Sequence, residues 1–403
     1  MSEEPRTRLP RRARAALLVA LAACVACLAA WRLTRPRYEW LFIYVMAYDN
    51  DLDRCSEPIT GALTRAVREH DGVAVAILSD RVARDGLRQT LITHDATGEE
   101  RLSTEDITDP HALRGFLDWA SRKAPARRHV VVFLDHGGAL DQMGYDLRTS
   151  RTPTSAPETK WMSARATGDV LRAWRSAERR DVPLVFLQQC GRASIENLMN
   201  FRATSEAVLA SQREVGACNT YYEALVATAS AHRDASPREL AHAIMSADRD
   251  YTTYALIRSA ALDEWKRESD ALVSALLDGD GPSPTAESVV ALRPCFTFGI
   301  ERDYDLVQLV AAAAAPRGEA GERAVRRFAA WVHHRLVIEH RRQAGAPESA
   351  SWCGVSAMVP MLSTLLDLYS AQPVYRETRW GELTRAVAPQ EIMVRARRTA
   401  QGR

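Results

Sequence analysis

Residues Pro183–Ser194 read PLVFLQQCGRAS, and how this stretch is taken decides the fold. An apolar run, Leu184–Leu187, stops at Gln188 and Gln189, and Cys190 and Gly191 follow. A short apolar run bounded by turn residues fits a buried strand. The Cys190 thiol then stands at the carboxyl end of that strand, where glycine lets the chain turn sharply. Alone, such a cysteine reads as packing, because free cysteine is among the most buried residue types. The rest of the chain changes that reading.

Four similar runs precede or follow it: Trp40–Ala47 (WLFIYVMA), Val73–Ser79 (VAVAILS), Val130–Leu134 (VVVFL) and Ala207–Ser211 (AVLAS). They alternate little between apolar and polar, as strands covered on both faces do. Helical patterns lie between them: Ile59–Glu69 after Pro58, Pro110–Lys123 behind an Asp109 cap, and Thr167–Glu178. This rhythm predicts an α/β fold with a mostly parallel sheet flanked by helices. Further along, helices are expected near Tyr222–Ser230, Pro237–Ser246 and Leu262–Leu277, with a strand at Tyr254–Arg258. The C-terminal part predicts a strand at the FTF of Phe296–Phe298, an amphipathic helix over Arg323–Arg341 and a strand at Gly354–Val359. Asp141–Ala166, rich in Thr, Ser and Pro, reads as a long exposed loop. The expected organisation is a tail and membrane segment over 1–37, a catalytic domain over 38–277, a C-terminal α/β subdomain over 285–375 packed on it, and a tail over 376–403.

Function in parallel sheets gathers at the carboxyl ends of strands. Three of these strands run into polar clusters: Tyr48-Asp49-Asn50-Asp51, Asp135-His136-Gly137-Gly138 and Gln188-Gln189-Cys190-Gly191. With the third and fourth strands adjacent, His136 and Cys190 share one rim. A thiol beside an imidazole makes a nucleophile and an acid–base group. The backbone N–H groups of Gly137 and Cys190 are the candidate donors to an oxyanion. Asp135 is expected to orient the rim without joining the chemistry. His333, His334 and His340 are read on the C-terminal helix, without the spacing a helical metal site needs, so no metal is assigned. The chain lacks a G-x-S-x-G elbow and nucleotide-binding glycine motifs, which argues against serine hydrolases and nucleotide enzymes.

The chain has 403 residues, 46% of them hydrophobic and 26% charged, with a net charge of +2. So even a balance gives no field for nucleic acid. The N-terminus carries arginines up to Arg14, then the uncharged segment Ala15–Trp31, then Arg32, Arg35 and Arg37. Three readings of this segment stay open: a single-pass transmembrane anchor, a cleaved signal peptide, and a lipoprotein signal with Cys24 lipidated. The arginine excess on the N-terminal side places the body outside the cytoplasm. Of the seven cysteines, Cys55, Cys190, Cys218, Cys295 and Cys353 lie in the body. That odd number leaves at least one thiol unpaired within the body.

The sequence resembles the clostripain family of bacterial cysteine peptidases, within the caspase-like superfamily, over roughly Trp40–Pro360. The segments that carry the likeness are YVMAYDNDL (Tyr44–Leu52), FLDHGG (Phe133–Gly138), FLQQCGRASIENL (Phe186–Leu198), AVLAS and GVSAMVP (Gly354–Pro360). His136 precedes Cys190 by 54 residues, close to the caspase spacing. The resemblance implies a caspase-like fold, a thiol protease acting on peptide or protein substrates through a His136–Cys190 dyad, and a downstream glutamate at Glu196. It also implies maturation by a cut between the two strands, with Arg148, Arg151 and Lys160 as basic candidates. No cofactor is read from the residues; calcium enters through the family alone, with the acids of Asp49–Asp53 as oxygen donors, though helix-start capping is the role their position favours.

The chain departs from the family where the substrate's side chain would sit. The family's aspartate before the nucleophile is Gln188 here, a second acid falls near Cys218, and a glutamate falls on Gln212. A cationic side chain buried there would lack compensation. Specificity other than Arg or Lys is therefore expected, with Gln188, Gln189 and Cys218 lining the pocket and Arg54 or Arg213 supplying positive charge. The alternative is a catalytically degenerate caspase-like fold that acts as a binding or scaffold protein.

Overall fold

The computed structural model describes residues 36–82, 84–104, 106–147, 160–289, 291–343 and 351–389. The segment Ala15–Trp31 with Cys24, and the loop residues Arg148 and Arg151, lie outside them. Among the described residues, no helix is long and apolar enough to cross a membrane. From Tyr38 onward the chain is one compact unit.

Strand β1 (Tyr38–Tyr48) leads into α1 (Asp53–Glu69), β2 (Val73–Arg81) and the antiparallel pair β3 (Arg84–Ile92) and β4 (Thr97–Arg101). Then come α2 (Pro110–Lys123), β5 (Ala126–Leu134), a ribbon of β6 (Gln142–Asp146) and β7 (Lys160–Ser163), α3 (Ala164–Ala177) and β8 (Asp181–Gln188). Next are α4 (Ile195–Asn200), β9 (Ala207–Ala210), α5 (Tyr222–Ala231), α6 (Pro237–Ala247), β10 (Thr253–Arg258) and α7 (Trp265–Leu277). The chain closes with β11 (Phe296–Phe298), β12 (Glu301–Asp305), α8 (Leu306–Ala314), α9 (Gly318–Trp331), β13 (Val337–Arg342), β14 (Ser356–Pro360) and α10 (Trp380–Val387).

The main sheet has the order β13-β10-β9-β8-β5-β1-β2-β3-β4. Its centre, from β9 to β2, is parallel, and both edges are antiparallel. Strand β1 is apolar on both faces because both are covered. Leu41, Ile43 and Val45 pack with α2, α3 and the C-terminal helices, including Trp174, Trp265 and Trp380. Trp40, Phe42, Tyr44 and Met46 pack on the other face with Ile59 and Leu63 of α1 and with α5 and α6. A second sheet, β11-β12-β14, lies beside the carboxyl end of β8, where Ser194 bridges to Ser356.

Several expectations need correction. Helix α1 starts at Asp53 and runs through Pro58, which sits in its second turn, instead of starting after it. The helix expected over Arg323–Arg341 ends at Trp331; a wide π turn, Val332–Leu336, follows, and Val337–Arg342 becomes β13. The exposed edge of β10 takes this β-branched segment as an antiparallel partner, so tertiary pairing overrides the helical pattern. His340 therefore lies on a strand. The helix expected over Leu262–Leu277 breaks before Trp265. The described ends of the Asp141–Ala166 loop pair as an antiparallel ribbon, Met143 opposite Met162 and Tyr145 opposite Trp161.

Candidate active site

The sheet order reverses between β1 and β5: the connection from β1 goes to β2 on one side, and β5 lies on the other. Crevices at such switch points, beyond the carboxyl ends of the strands, are where α/β folds bind ligands. Three turns meet there: Asp49–Leu52 after β1, Asp135–Gly138 after β5 and Gln189–Ser194 after β8.

Strands β5 and β8 are parallel neighbours with Leu134 opposite Gln188. Each runs two residues further, to His136 and to Cys190. The turns they enter touch through backbone: a β-carbon on Gly137 would lie 1.9 Å from the Cys190 carbonyl oxygen. Glycine is needed there for close approach. On the far side, Gly191 (φ 68°) would drive a β-carbon to 2.3 Å from the Phe296 ring, so β11 roofs the Cys190 turn.

The His136 ring is fixed from two directions. Its Nε2 lies 2.9 Å from Asp51 Oδ1, and the Tyr145 ring stacks on it with centroids 5.3 Å apart. The hydrogen bond to His136 holds the Asp51 carboxyl below the usual range. The sequence reading gave Asp51 only a capping or calcium role and missed this contact. Asp135 is turned inward: it accepts from Asn50 Nδ2 at 2.9 Å and from the Tyr145 N–H at 2.8 Å, and burial raises its pKa well above the carboxylate range.

The Cys190 Sγ accepts from the Val215 N–H at 3.4 Å and donates to the Val215 carbonyl at 3.6 Å. Burial pushes the thiol's pKa up, which favours the protonated form. Among the described residues no hydrogen bond joins Sγ to the imidazole; the two groups share the rim. Hydrogen bonds of this kind often tighten only when substrate binds.

A residue that sequence reasoning passed over holds the turns together. Arg192 is buried, and its guanidinium donates to the carbonyls of Cys190 (3.1 Å), Ala139 (3.1 Å), Gln142 (2.8 Å) and Gly138 (2.7 Å). It thus fastens the turn of His136 to the turn of Cys190. Asp303 and Glu301, on β12 behind it, supply opposite charge. The signal available was an arginine inside the otherwise small and apolar run after Gly191.

Beneath the Cys190 turn, on the β9 side, lies a buried, neutral amide and phenol network. Gln188 Nε2 donates to Asn219 Oδ1, and Gln188 Oε1 accepts from the Tyr221 hydroxyl at 2.5 Å. Behind Asn219 stands a buried acid, Asp248. It accepts from Asn219 Nδ2 (2.8 Å), the Tyr254 hydroxyl (2.9 Å), the Thr220 N–H (3.3 Å) and the Asp250 N–H (3.3 Å). Buried acidity therefore exists nearby, contrary to the sequence expectation, but four donors already surround it. Gln189 is buried, and among the described residues its Oε1 meets no donor. Gln212 bonds Cys295 Sγ and Asp305.

Cys218 is bonded to Cys55, 163 residues away, so its sulfur ties the Val215–Asn219 loop to α1. Cys190, Cys295 and Cys353 are free. The two arginines expected to give positive charge are each turned to an acid. Arg54 leans back on Asp51, donating to its carbonyl at 2.8 Å. Arg213 pairs with Glu214 at 2.7 Å and lies 5.7 Å over the Trp352 ring. Lys160 pairs with Asp106. Asp49, Asp80 and Asp146 are buried, with carboxylate oxygens within 4.8 Å of one another; oxygen donors of this kind suit a hard divalent cation. Asp53 pairs with Arg81 at 2.9 Å and lies outside that group.

Comparison with known proteins now bears on this arrangement. Residues 44–279 match the model of the clostripain family, Peptidase_C11. The structure of an inactive zymogen C11 protease from Parabacteroides distasonis is similar, with a TM-score of 0.63 at 16% identity over 85% of this chain and 98% of that one. A secreted C11 cysteine protease from Bacteroides thetaiotaomicron gives a TM-score of 0.58 at 14% identity over 87% of this chain and 99% of that one. A structure of a secreted C11 cysteine protease from the same organism with an irreversible peptide inhibitor gives 0.55 at 14% identity, over 80% and 89%. At these identities the likeness is one of fold. No curated protein matches the chain.

Proposed function

This chain belongs to the clostripain family of cysteine peptidases, and from that premise we propose a membrane-tethered endopeptidase whose nucleophile is Cys190 and whose acid–base group is His136. The observation that carries the reading is the shared rim: adjacent parallel strands end in the imidazole and the thiol, and the two turns touch at Gly137.

Substrate enters over the rim and displaces the Sγ contact with Val215. His136 takes the thiol proton, and Sγ attacks the carbonyl carbon. The oxygen of the tetrahedral intermediate gathers negative charge, which the N–H groups of Gly137 and Cys190 receive. Asp51 holds His136 Nε2 and so orients the ring. The C–N bond then breaks, the imidazolium gives its proton to the leaving amine, and a thioester remains on Cys190. Water, deprotonated by His136, hydrolyses the thioester and frees the thiol. A calcium ion, where the family binds one, would be held by Asp49, Asp80 and Asp146 and would balance their charge behind the Asp51 turn.

The neutral floor of Gln188, Asn219 and Tyr221 supports specificity other than Arg or Lys. An ammonium or guanidinium would lose its hydration there and meet amide and phenol groups in place of a carboxylate. Gln189 and Cys218 belong to the walls of this pocket, and Arg54 and Arg213 sit at its margins, each with an acid of its own.

The N-terminal segment, as a transmembrane helix or through lipidated Cys24, holds the body at a membrane on its extracytoplasmic side. The Cys55–Cys218 bond supports an oxidising compartment, and two of the similar structures are of proteins described as secreted.

A scaffold role is the second reading, favoured by the Sγ–Val215 contact and the missing pocket acids. A peptide-library cleavage profile of the protein beside its Cys190→Ala variant separates the two. The peptidase reading expects cleavage that vanishes in the variant; no cleavage by either protein supports the scaffold, and equal cleavage by both overturns Cys190 as the nucleophile.

A further inference from the structure

An aromatic ladder starts on the His136 ring. Tyr145 of β6 stacks on His136, at 5.3 Å and an interplanar angle of 23°. Trp161 of β7 follows, 5.0 Å from Tyr145. Phe298, at the end of β11, meets Trp161 edge-on at 5.8 Å and 84°. Two separate ribbons, β6–β7 and β11–β12, converge to build it.

The outer part of the ladder is open. Tyr145 and Trp161 are half-buried, Phe298 is 36% exposed, and Ile300 beside it is 47% exposed. Phe298 pairs with Glu301 across a two-residue turn, Gly299-Ile300, in which Gly299 has φ 54°. A first-position glycine suits a tight hairpin. A β-carbon on Gly299 would meet nothing within 4 Å, so this tip faces open space. Bracing the imidazole needs Tyr145 alone. Trp161, Phe298 and Ile300 extend the apolar strip outward, and large exposed apolar groups beside a site are informative where scattered ones are not.

The ladder's side of the site assigns its occupant. The floor of Gln188, Asn219 and Tyr221 lies on the β9 side of Cys190. The ladder is seated on the His136 ring, at the end of β5. In the reaction above, His136 gives its proton to the leaving amine, so the chain beside His136 is the part that departs. We propose that Tyr145, Trp161 and Phe298 form a subsite for an apolar, preferentially aromatic, side chain on the residue that follows the cleaved bond. Ring-on-ring contact, offset or edge-on, suits such a side chain. This inference rests on the His136–Cys190 reading.

The test uses the full chain and peptides alike before the bond but carrying Phe, Leu, Ala, Asp or Lys after it. The expected result is a kcat/KM for Phe roughly tenfold or more above that for Ala, as for one side chain in an apolar pocket. In Phe298→Ala the Phe-to-Ala ratio falls to within about twofold of unity, and Phe298→Tyr restores it. A flat wild-type profile across the five peptides overturns the subsite and needs no variant. A Phe298→Ala enzyme that slows on all peptides with its ratio intact also overturns it, because the ladder then only braces His136. Absence of cleavage together with iodoacetamide labelling that ignores Cys190→Ala overturns the dyad itself, and the subsite with it; that outcome is distinct from cleavage without preference.

Discussion

Gly137 approaches Cys190 so closely that an added β-carbon would overlap the Cys190 carbonyl oxygen, at 1.9 Å. The turns that carry the imidazole and the thiol are therefore in backbone contact. Gly137→Ala must push them apart. A displacement of about 1 Å at a catalytic pair is enough for a loss on the order of 100-fold in kcat/KM. Gly115→Ala on α2, where a β-carbon meets nothing within 4 Å, is the matched control and should leave activity unchanged. Equal activity in both variants would contradict the contact.

Arg192 fastens the same two turns from beneath. Arg192→Met removes the side chain that donates to four carbonyls, of which Gln142 and Ala139 keep a backbone donor, and removes the positive charge beside Asp303 and Glu301. A loss of about 3–5 kcal/mol is expected, as when one partner of a buried ionic group is removed. The denaturant midpoint should fall while the slope of the unfolding curve stays the same. A midpoint within error of the wild type would refute the clamp.

Asp51 acts through His136. Asp51→Asn keeps the shape and removes the charge next to Nε2. The expected loss in kcat/KM is roughly 10–100-fold, smaller than for removing an acid–base group outright. The loss should fall on kcat with KM and stability unchanged, because the ring keeps its place and loses only its partner's charge. An unchanged kcat would mean that the contact is only structural.

Glu196 is buried, accepts from the Met358 N–H at 3.1 Å and the Trp380 Nε1 at 3.0 Å, and burial raises its pKa to about 7. In the unfolded chain it titrates near 4.5. Between these values the folded protein keeps a proton that the unfolded chain has released. Its stabilisation is thus complete below the lower value and is lost as pH rises through the higher one, by about 3 kcal/mol. Glu196→Gln should lose less stability than the wild type between pH 5 and 8, measured by chemical denaturation. Parallel pH curves would dismiss the shift.

The central strands were legible because β1, β5 and β8 are short apolar runs that end in polar turns, a pattern set by burial on both faces. The residues of the rim were legible for the same reason. The β3–β4 pair was not: β3 buries Leu87 and Ile92 but interleaves them with polar residues, β4 is exposed throughout, and the first takes its form from pairing with β2, the second from pairing with β3. Strand β13 was hidden inside a helical pattern until β10 claimed it. Asp51 and Arg192 escaped notice because their partners are distant in sequence; nothing local tells an arginine that it will meet four carbonyls. The Cys55–Cys218 bond was not legible either, because nothing local tells Cys218 that Cys55 lies across from it.

The rate at which iodoacetamide labels Cys190 tests the central claim most directly. Followed by mass spectrometry from pH 5 to 9 in the wild type and in His136→Ala, it reports whether the imidazole governs the thiol. The dyad predicts fast labelling near neutral pH that slows at least tenfold in the variant, with other thiols unaffected. Identical labelling curves in the two proteins would contradict it.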